Sequence, residues 1–454
     1  VTFELDPDQQ SDVERMLGNH TWGLFHEQGV GKTPPALVAA GKRLPALITI
    51  PAYLGTQWAR RCTEWLPGAT VQLVNGDGHA LRTEQLTSGA DVTLVSYNTW
   101  APGKGRPEYP YLWRNKWGSF VLDEGHRIRG YNSQWTQEIH RLRNADAKNR
   151  NVPIWSLTGT PYVRDGGDLF PFLKLCNRKR WGSYWTFVET WCHMEYTPWE
   201  TKIGRLKDPE AFYRMLAEFS WRRELVGQED AVYVDIPVQL PKSVYDMIRK
   251  AKKEFVFEHP DMEEPEWYDA AGAVWQRIRR MVAVPPTAVK PKLDAMVGTL
   301  EDIPRDRVIV YCWYRDTAKA CLERIGKMRS ALTGKPRPVA LFTGDVTTRG
   351  KIAAIQQYDD NPDGVIVATI AALKEGADLQ SGHHAVFVEE SVLGEENMQA
   401  IGRQRRRGQL HPVVVHRIRA DRSIDHAVRK LAEARTEDAR SLMDEYLRGS
   451  GEYE

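Results

Sequence analysis

The sequence predicts an α/β protein: two parallel-sheet lobes with a largely helical insertion between them. Three observations predict it. Short apolar runs alternate with helix-like stretches from 20 to 160, and the same texture returns from 307 to 418. Between them, roughly 165 to 300, charge, aromatics and helical spacing dominate. Strands alternating with helices build parallel sheets buried on both faces, and such strands read as continuous apolar runs.

In chain order, the first lobe's expected strands are 22–25 (WGLF), 46–50 (ALITI), 91–95 (DVTLV), 119–122 (SFVL) and 153–157 (PIWSL). A helix is expected at 36–43. In the middle region, 241–258 reads as a helix with Pro241 at its first position and Val244, Ile248, Ala251 and Phe255 on one face. The second lobe's strands are expected at 307–312, 338–342, 364–369, 384–389 and 412–418. The stretch 423–447 reads as an amphipathic helix that Ser423 can cap, with Ile424, Val428, Leu431, Leu442 and Tyr446 recurring at helical spacing. The expected division is 1–225 for lobe one, with a helical protrusion near its end, 226–295 for the linker, 296–422 for lobe two and 423–454 for the terminal helix. No tandem repeat or low-complexity tract is present.

Composition narrows the class. The 454 residues suffice for two or three domains. With 62 basic and 60 acidic residues the net charge is only +2, so local clusters rather than bulk charge must decide on nucleic acid. Five cysteines without a close CxxC pair argue against zinc or a disulfide framework and for reduced thiols. No apolar run reaches the ~18 residues that span a bilayer, and no signal-peptide pattern opens the chain. The expectation is a cytoplasmic or nuclear protein, not secreted, with no membrane partner and a monomer as a plausible state. Of the sixteen tryptophans, Trp181, Trp185, Trp191 and Trp199 cluster in 181–199; they read as packing residues, with base stacking as the alternative.

The chemistry begins after the first strand. Gly29-Val30-Gly31-Lys32-Thr33 leads into a helix. Glycines let backbone N–H groups close on phosphate oxygens, and the helix N-terminus adds partial positive charge. Lys32 would neutralise the β- and γ-phosphates of ATP, and Thr33 would ligate Mg²⁺. Phe120-Val121-Leu122-Asp123-Glu124-Gly125-His126 is an apolar strand ending in two acids. Asp123 would hold Mg²⁺ through water, and Glu124 would activate the attacking water. After the strand that follows comes Leu157-Thr158-Gly159-Thr160-Pro161, whose Thr158 and Thr160 hydroxyls could bond Glu124 or the γ-phosphate region and sense ATP. In the second lobe, 399–409 reads QAIGRQRRRGQ, and Gln399, Arg403 and Arg406 share one face if the segment is a single helix. Guanidinium groups suit a transferring phosphoryl group, and four arginines equally suit a generic nucleic-acid patch.

The order GKT, DExH, TGTP is that of superfamily 2 helicases and translocases, and within them the chain resembles the Swi/Snf-family ATPases, as a compact stand-alone motor. That family has Asp-Glu-Met-Gly-Leu-Gly-Lys-Thr at the phosphate loop; Glu27, Gly29, Gly31, Lys32 and Thr33 match, while His26 and Gln28 depart. Pro51, Trp58, Trp65 and Pro67 match the family's Pro-to-Trp-to-Trp pattern. Gly125 replaces its usual Ala or Cys, which reads as loosening the loop. The resemblance implies two RecA-like lobes, ATP and Mg²⁺ as cofactors, Gln9 as the adenine-reading residue, and Glu27 and Gln399 at the ATP site. Arg403 and Arg406 match the arginine fingers of the final motif. Arg405 and Arg407 fall outside that pattern and read as facing solvent or DNA. Gly376 and Asp378 stand where the family couples ATP to DNA, Asp378 replacing Asn. Phe342-Thr343-Gly344-Asp345 resembles a loop touching the DNA backbone, and Trp221-Arg222-Arg223 and Lys290-Pro291-Lys292-Leu293 resemble linker landmarks. Ser96, Thr343 and Thr369 at strand ends are the expected phosphate contacts, which position without reading sequence. The implied activity is DNA-stimulated ATP hydrolysis driving lobe closure and translocation on double-stranded DNA. The rival readings are a strand-separating or branch-remodelling helicase and a non-hydrolysing DNA-binding scaffold.

Overall fold

The structure, a computed structural model, describes residues 4–27, 29–76, 78–101, 109–144, 149, 151–159, 161, 166–196, 201–224, 230–254, 256–257, 266–267, 271–373, 379–406 and 409–433. Thr160, Gly376, Asp378, Arg407, Phe255, Leu442 and Tyr446 lie outside them. The chain divides into two units after Leu225.

The first unit is built on β1 (Thr21–Leu24), β2 (Ala46–Ile50), β3 (Val71–Leu73), β4 (Val92–Ser96), β5 (Ser119–Asp123) and β6 (Ile154–Leu157). An antiparallel hairpin, β7 (Cys192–Tyr196) with β8 (Thr201–Leu206), and the short β9 (Ser220–Trp221) follow. The main sheet runs β3-β4-β2-β5-β6-β1-β9 and every pairing is parallel. Strands β1, β2 and β6 are buried at every position, as strands covered on both faces must be. Helix α1 (Pro7–Gly18) starts on a reciprocal capping box: Gln9 N donates to Asp6 Oδ1 (2.8 Å) and Asp6 N to Gln9 Oε1 (3.2 Å). Helix α2 (Thr33–Gly41) opens with Pro34 and Pro35, whose missing N–H groups cost nothing in a first turn. Helix α3 (Gly55–Trp65) follows β2.

Because all strands run the same way, β2, β5, β6 and β1 deliver their C-terminal ends along one edge of the sheet. Asp123 and Leu24 both lie in register with Leu157, so the loops after β5, β6 and β1 leave side by side. All five expected first-lobe strands form within a residue of the expected bounds; β3 and β9, three and two residues long, were not expected.

The second unit contains β10 (Val232–Val238), the two-residue pair β11 (Val256–Phe257) and β12 (Glu266–Trp267), then β13 (Val308–Cys312), β14 (Val339–Phe342), β15 (Val365–Thr369), β16 (His384–Phe387) and β17 (Val414–Ala420). Its six-stranded sheet runs β10-β17-β16-β13-β15-β14, again all parallel. The five expected strands of this lobe are present. The sixth, β10, falls in the stretch read as linker, yet pairs with β17 along all seven residues. It is an exposed edge strand, so it lacks the apolar run that announces a buried one.

The expected helix over 241–258 forms as Lys242–Glu254 with Val244, Ile248 and Ala251 buried. It shares a core with the helix Ala271–Ala283 and with Ala420 and Ile424. A helix also occupies 424–433. The five cysteines are free thiols, four of them buried. Among the described residues no three or more His, Cys, Asp or Glu side chains gather as metal ligands, and no helix is long and apolar enough to cross a membrane.

Candidate active site

The loop after β1 is shaped by two left-handed glycines, Gly29 (φ 83°) and Gly31 (φ 89°), conformations that a Cβ penalises. Within it the Lys32 ammonium donates to the carbonyls of His26 (2.8 Å) and Glu27 (3.1 Å). Gln9 reaches the loop from α1: Nε2 donates to the Gly31 carbonyl at 3.2 Å, and a Cβ on Gly31 would stand 2.9 Å from that nitrogen. Gln9, Gly31 and Lys32 are therefore brought together, with Thr33 opening α2 beside them.

His26 has a structural explanation. It is fully buried behind the loop, and its Nε2–H donates to Asp12 Oδ1 of α1 (2.9 Å). Asp12 Oδ2 accepts from Arg223, whose other terminal nitrogen meets Asp8 at 3.1 Å. The Arg223 carbonyl in turn accepts from Glu27 N (2.8 Å). His26 thus ties the phosphate loop to α1 and to the chain after β9. Arg222 adds a second tie, donating to the Phe25 carbonyl at 2.9 Å. Burial, opposed by Asp12 but aided by the Arg223 and Lys32 charges, lowers His26 to about 4. The unfolded chain, with His near its ordinary 6.5, binds the extra proton first as pH falls. Stability from this group is thus complete above about 6.5 and lost between 6.5 and 4. Between pH 7 and 5 the loss is about 2 kcal/mol. Urea unfolding of the wild type and His26→Asn at both pH values checks this: the wild type should lose that much more than the variant, and equal losses would refute it.

The acidic pair sits at the end of β5. Trp58 Nε1 on α3 donates to Asp123 Oδ2 at 2.9 Å. The Tyr97 hydroxyl donates to the Asp123 carbonyl at 2.7 Å. Burial and then the neighbouring Glu124 carboxylate push Asp123 up to about 7, against the Trp58 hydrogen bond and the Lys32 charge. Glu124 adopts a left-handed backbone (φ 50°, ψ 50°), rare for a non-glycine residue and held here by its surroundings. Its Oε2 lies 3.4 Å from His126 Nδ1, and that same nitrogen lies 3.0 Å from the buried Thr158 hydroxyl. Thr158 N donates to the Leu24 carbonyl at the root of the phosphate loop (3.1 Å). The connection of Thr158 to Glu124 therefore runs through His126.

Gly125 does not loosen this loop. A Cβ there would stand 2.0 Å from Ser156 Oγ and 3.2 Å from Ser156 Cβ, so the residue is glycine because β6 packs against it. Ser96, at the end of β4, shares its hydroxyl with Thr99 (3.1 Å).

In the second unit Thr343 follows β14 and Thr369 ends β15, side by side, with both side chains buried. The arginine motif is not one helix. The helix Gly394–Ile401 stops at Gly402, and the chain tightens through Arg403 N to Ala400 O (3.1 Å) and Gln404 N to Ile401 O (3.0 Å). Arg403 and Arg406 thus leave from a turn beyond the helix that holds the buried Gln399. Arg403 is buried at 3% exposure; Arg406 is half-buried, its Nε donating to the Gly402 carbonyl (3.2 Å). Arg405 does not simply face solvent: it is largely buried and paired with Asp230 at 3.1 Å. Two glutamines hold the turn, Gln404 on the His384 carbonyl and Gln409 on the Gln380, Gly382 and Gln404 carbonyls, all within 3.0–3.2 Å. Lys292 is a buried strut, donating to the Val388 carbonyl (2.8 Å) and paired with Asp425 (2.6 Å). The sequence assigned no role to Tyr97, His126, Gln404 or Gln409; His126, as the last residue of DEGH, and Gln409, as the last of the arginine motif, carried a signal.

Two α/β units, each on an all-parallel main sheet and the first with a glycine–lysine phosphate loop beside paired acids, define a helicase-like ATPase of superfamily 2. The SNF2-related domain matches residues 10–260 and the helicase conserved C-terminal domain matches residues 291–408. The chain belongs to the SNF2-related, or Swi/Snf, family. It is 21% identical over 415 residues to the human DNA annealing helicase and endonuclease ZRANB3, covering 88% of this chain and 36% of that protein. It is 25% identical over 244 residues to the Schizosaccharomyces pombe SWI/SNF chromatin-remodeling complex subunit snf22, covering 50% of this chain and 13% of that one. The chain thus spans little more than a third of the first relative's length, and less of the second's. The solved Sulfolobus solfataricus SWI2/SNF2 ATPase core in complex with dsDNA aligns over 99% of this chain and 96% of its own, at 15% identity and a TM-score of 0.42.

Proposed function

We propose that the chain is a DNA-stimulated ATPase that uses ATP and Mg²⁺ to translocate on double-stranded DNA. The observation that carries this is the pair of adjacent acids at the β5 edge, beside the Lys32 loop. Their mutual repulsion, with burial, holds Asp123 up near 7. Such a site is short of positive charge, which fits a divalent cation. Asp123 and Thr33 would hold Mg²⁺, which when bound would screen the charge of the β- and γ-phosphates.

The chain's own groups are assigned as follows. Gly29, Gly31 and Glu27 shape the loop, Gln9 and Gln399 contact the nucleotide, and Lys32 exchanges its carbonyl partners for phosphate oxygens. Glu124 takes the proton of the attacking water, and Thr158 and Thr160 report the state of the site. Arg403 and Arg406 serve as the finger arginines. Gly376 and Asp378 couple turnover to DNA, and Ser96, Thr343 and Thr369 mark the strand ends whose backbone N–H groups grip phosphate. The burial of Thr343 and Thr369 favours backbone over hydroxyl contacts. The four-part division at 225, 295 and 422 remains our functional partition of the chain.

The test is ATP turnover without DNA and with single-stranded, blunt double-stranded and forked DNA, beside Lys32→Ala. Blunt duplex should stimulate more than single strands, and stimulation should fall steeply with salt as phosphate contacts release counterions. Lys32→Ala should abolish turnover. Release of a labelled strand from the fork would establish the strand-separating reading instead; no turnover with any DNA would leave the scaffold reading.

A further inference from the structure

Among the described residues of the first unit, the exposed large apolar side chains are Leu44, Leu81, Tyr131, Trp185 and Tyr196. Three of the five are aromatic, and two of these belong to one ring assembly. Tyr131, on the loop downstream of the acidic pair, lies parallel to Tyr184, with centroids 4.9 Å apart and planes at 6°. Both stand edge-on to Phe170, at 5.4 and 5.5 Å, and Trp185 meets Tyr184 edge-on at 5.5 Å. Tyr131 is 42% exposed and Trp185 52%.

The assembly rests on a rigid base. Phe170 belongs to a buried cluster with Phe25, Phe172, Phe187 and Phe212. Tyr184 and Trp185 occupy the first turn of a helix whose cap is Ser183, accepting from Thr186 N at 3.2 Å. Exposed rings held this way keep a fixed orientation and lose little entropy when something stacks on them.

Cations belong to the same stretch of chain. Lys174 Nζ lies 5.6 Å from the Phe170 ring centroid. The Lys174 ammonium donates to the Gly182 carbonyl, two residues before Tyr184. The turn Arg178-Lys179-Arg180 is exposed, and its backbone is pinned by Asn177 Oδ1, which accepts from Lys179 N (3.2 Å) and Arg180 N (3.1 Å). Arg180 is engaged by Glu218 and covers Trp181 and Phe219. Lys174 thus stands against the Phe170 ring, and Arg178 and Lys179 are exposed cations in the turn that leads to Tyr184.

Rings that offer π faces, flanked by positive charge, complement a flat aromatic ligand that carries phosphate. A duplex hides its base faces everywhere but at ends and breaks. We propose that Tyr131, Tyr184 and Trp185, with Lys174, Arg178 and Lys179, form a stacking platform for an unpaired base of single-stranded DNA. The platform rests on the reading of the chain as a DNA motor and adds to it a preference for forks, gaps and ends.

The test compares a labelled single-stranded oligonucleotide, a fork and a blunt duplex by anisotropy, using the whole chain, the double variant Tyr131→Ala/Trp185→Ala, and Trp185→Phe. Base–aromatic stacking predicts a loss of about 5- to 150-fold in single-strand and fork affinity for each base unstacked. Blunt-duplex affinity and DNA-free turnover should stay within twofold, and Trp185→Phe should retain most of the affinity. The double variant should leave the salt slope unchanged, whereas Arg178→Ala and Lys179→Ala should each reduce it by about 0.7 for single strands. Unchanged single-strand binding in the double variant overturns the platform, as does equal loss on all three DNAs. A proline-rich peptide captured by these rings without any effect on DNA overturns it too. If the platform alone fails, blunt duplex still stimulates turnover; if the motor reading fails, no DNA stimulates turnover of the wild type, whatever it binds.

Discussion

Glu124→Gln should leave ATP bound and lower its turnover by about 10²- to 10⁴-fold, the usual contribution of a general base. Its geometry favours a clean separation of binding from chemistry. The left-handed backbone at Glu124 follows a strand end that the Tyr97 hydroxyl holds by the Asp123 carbonyl, so side-chain charge does not set it. Gln is isosteric and keeps an oxygen towards His126, so the His126–Thr158 contact has no reason to break. What disappears is the proton acceptor and one of two repelling carboxylates. Removing that repulsion should also let Asp123 ionise more readily, which favours cation binding. Nucleotide affinity by fluorescent-analogue titration should therefore be unchanged or tighter, while steady-state phosphate release collapses. Wild-type turnover would remove Glu124 from the base role. Joint loss of affinity and turnover would mean that the residue shapes the loop instead.

The strands legible in the sequence are the buried ones. WGLF, ALITI and RVIVYC announce themselves because burial on both faces demands unbroken apolar runs. VYVDIPV at 232–238 does not, because an exposed edge needs no such run, and its pairing with β17 crosses some 180 residues of chain. At the site, GVGKT and DEGH are contiguous motifs and were legible as chemistry. Their supports were not: Trp58 meets Asp123 across 65 positions, Arg223 meets Asp12 across 211, and no local period records such meetings. Two departures from the family pattern changed meaning once their neighbours were known. His26 seemed a foreign residue at the head of the loop and is a buried tie to Asp12. Gly125 seemed a loosened position and is a close contact with Ser156. The arginine motif shows the opposite error, since helical spacing was extended through Gly402, a residue that ends helices readily.

That turn separates the two arginines, and Arg406→Ala should cost more turnover than stability. An arginine that stabilises the transferring phosphoryl group is worth about 10³- to 10⁵-fold in rate. Arg406 is half-buried, and its Nε donates to the Gly402 carbonyl within its own turn; Gln404 and Gln409 hold the surrounding backbone independently. Its truncation should leave the second unit's unfolding midpoint and the nucleotide affinity near wild type while kcat falls by at least 10³. Arg406→Lys should not restore it, because a point charge cannot reproduce the planar fork. Arg403 differs: at 3% exposure its guanidinium is embedded among neighbours, and its carbonyl accepts from Leu379 N at 3.1 Å. Arg403→Ala should therefore lower stability as well as turnover, by about 1–3 kcal/mol for the partners left behind. Parallel urea unfolding, nucleotide titration and steady-state turnover on the two variants separate the roles. If Arg406→Ala turns over ATP within threefold of wild type, Arg406 is a surface cation and not a finger. If Arg403→Ala alone loses turnover at full stability, the finger is Arg403.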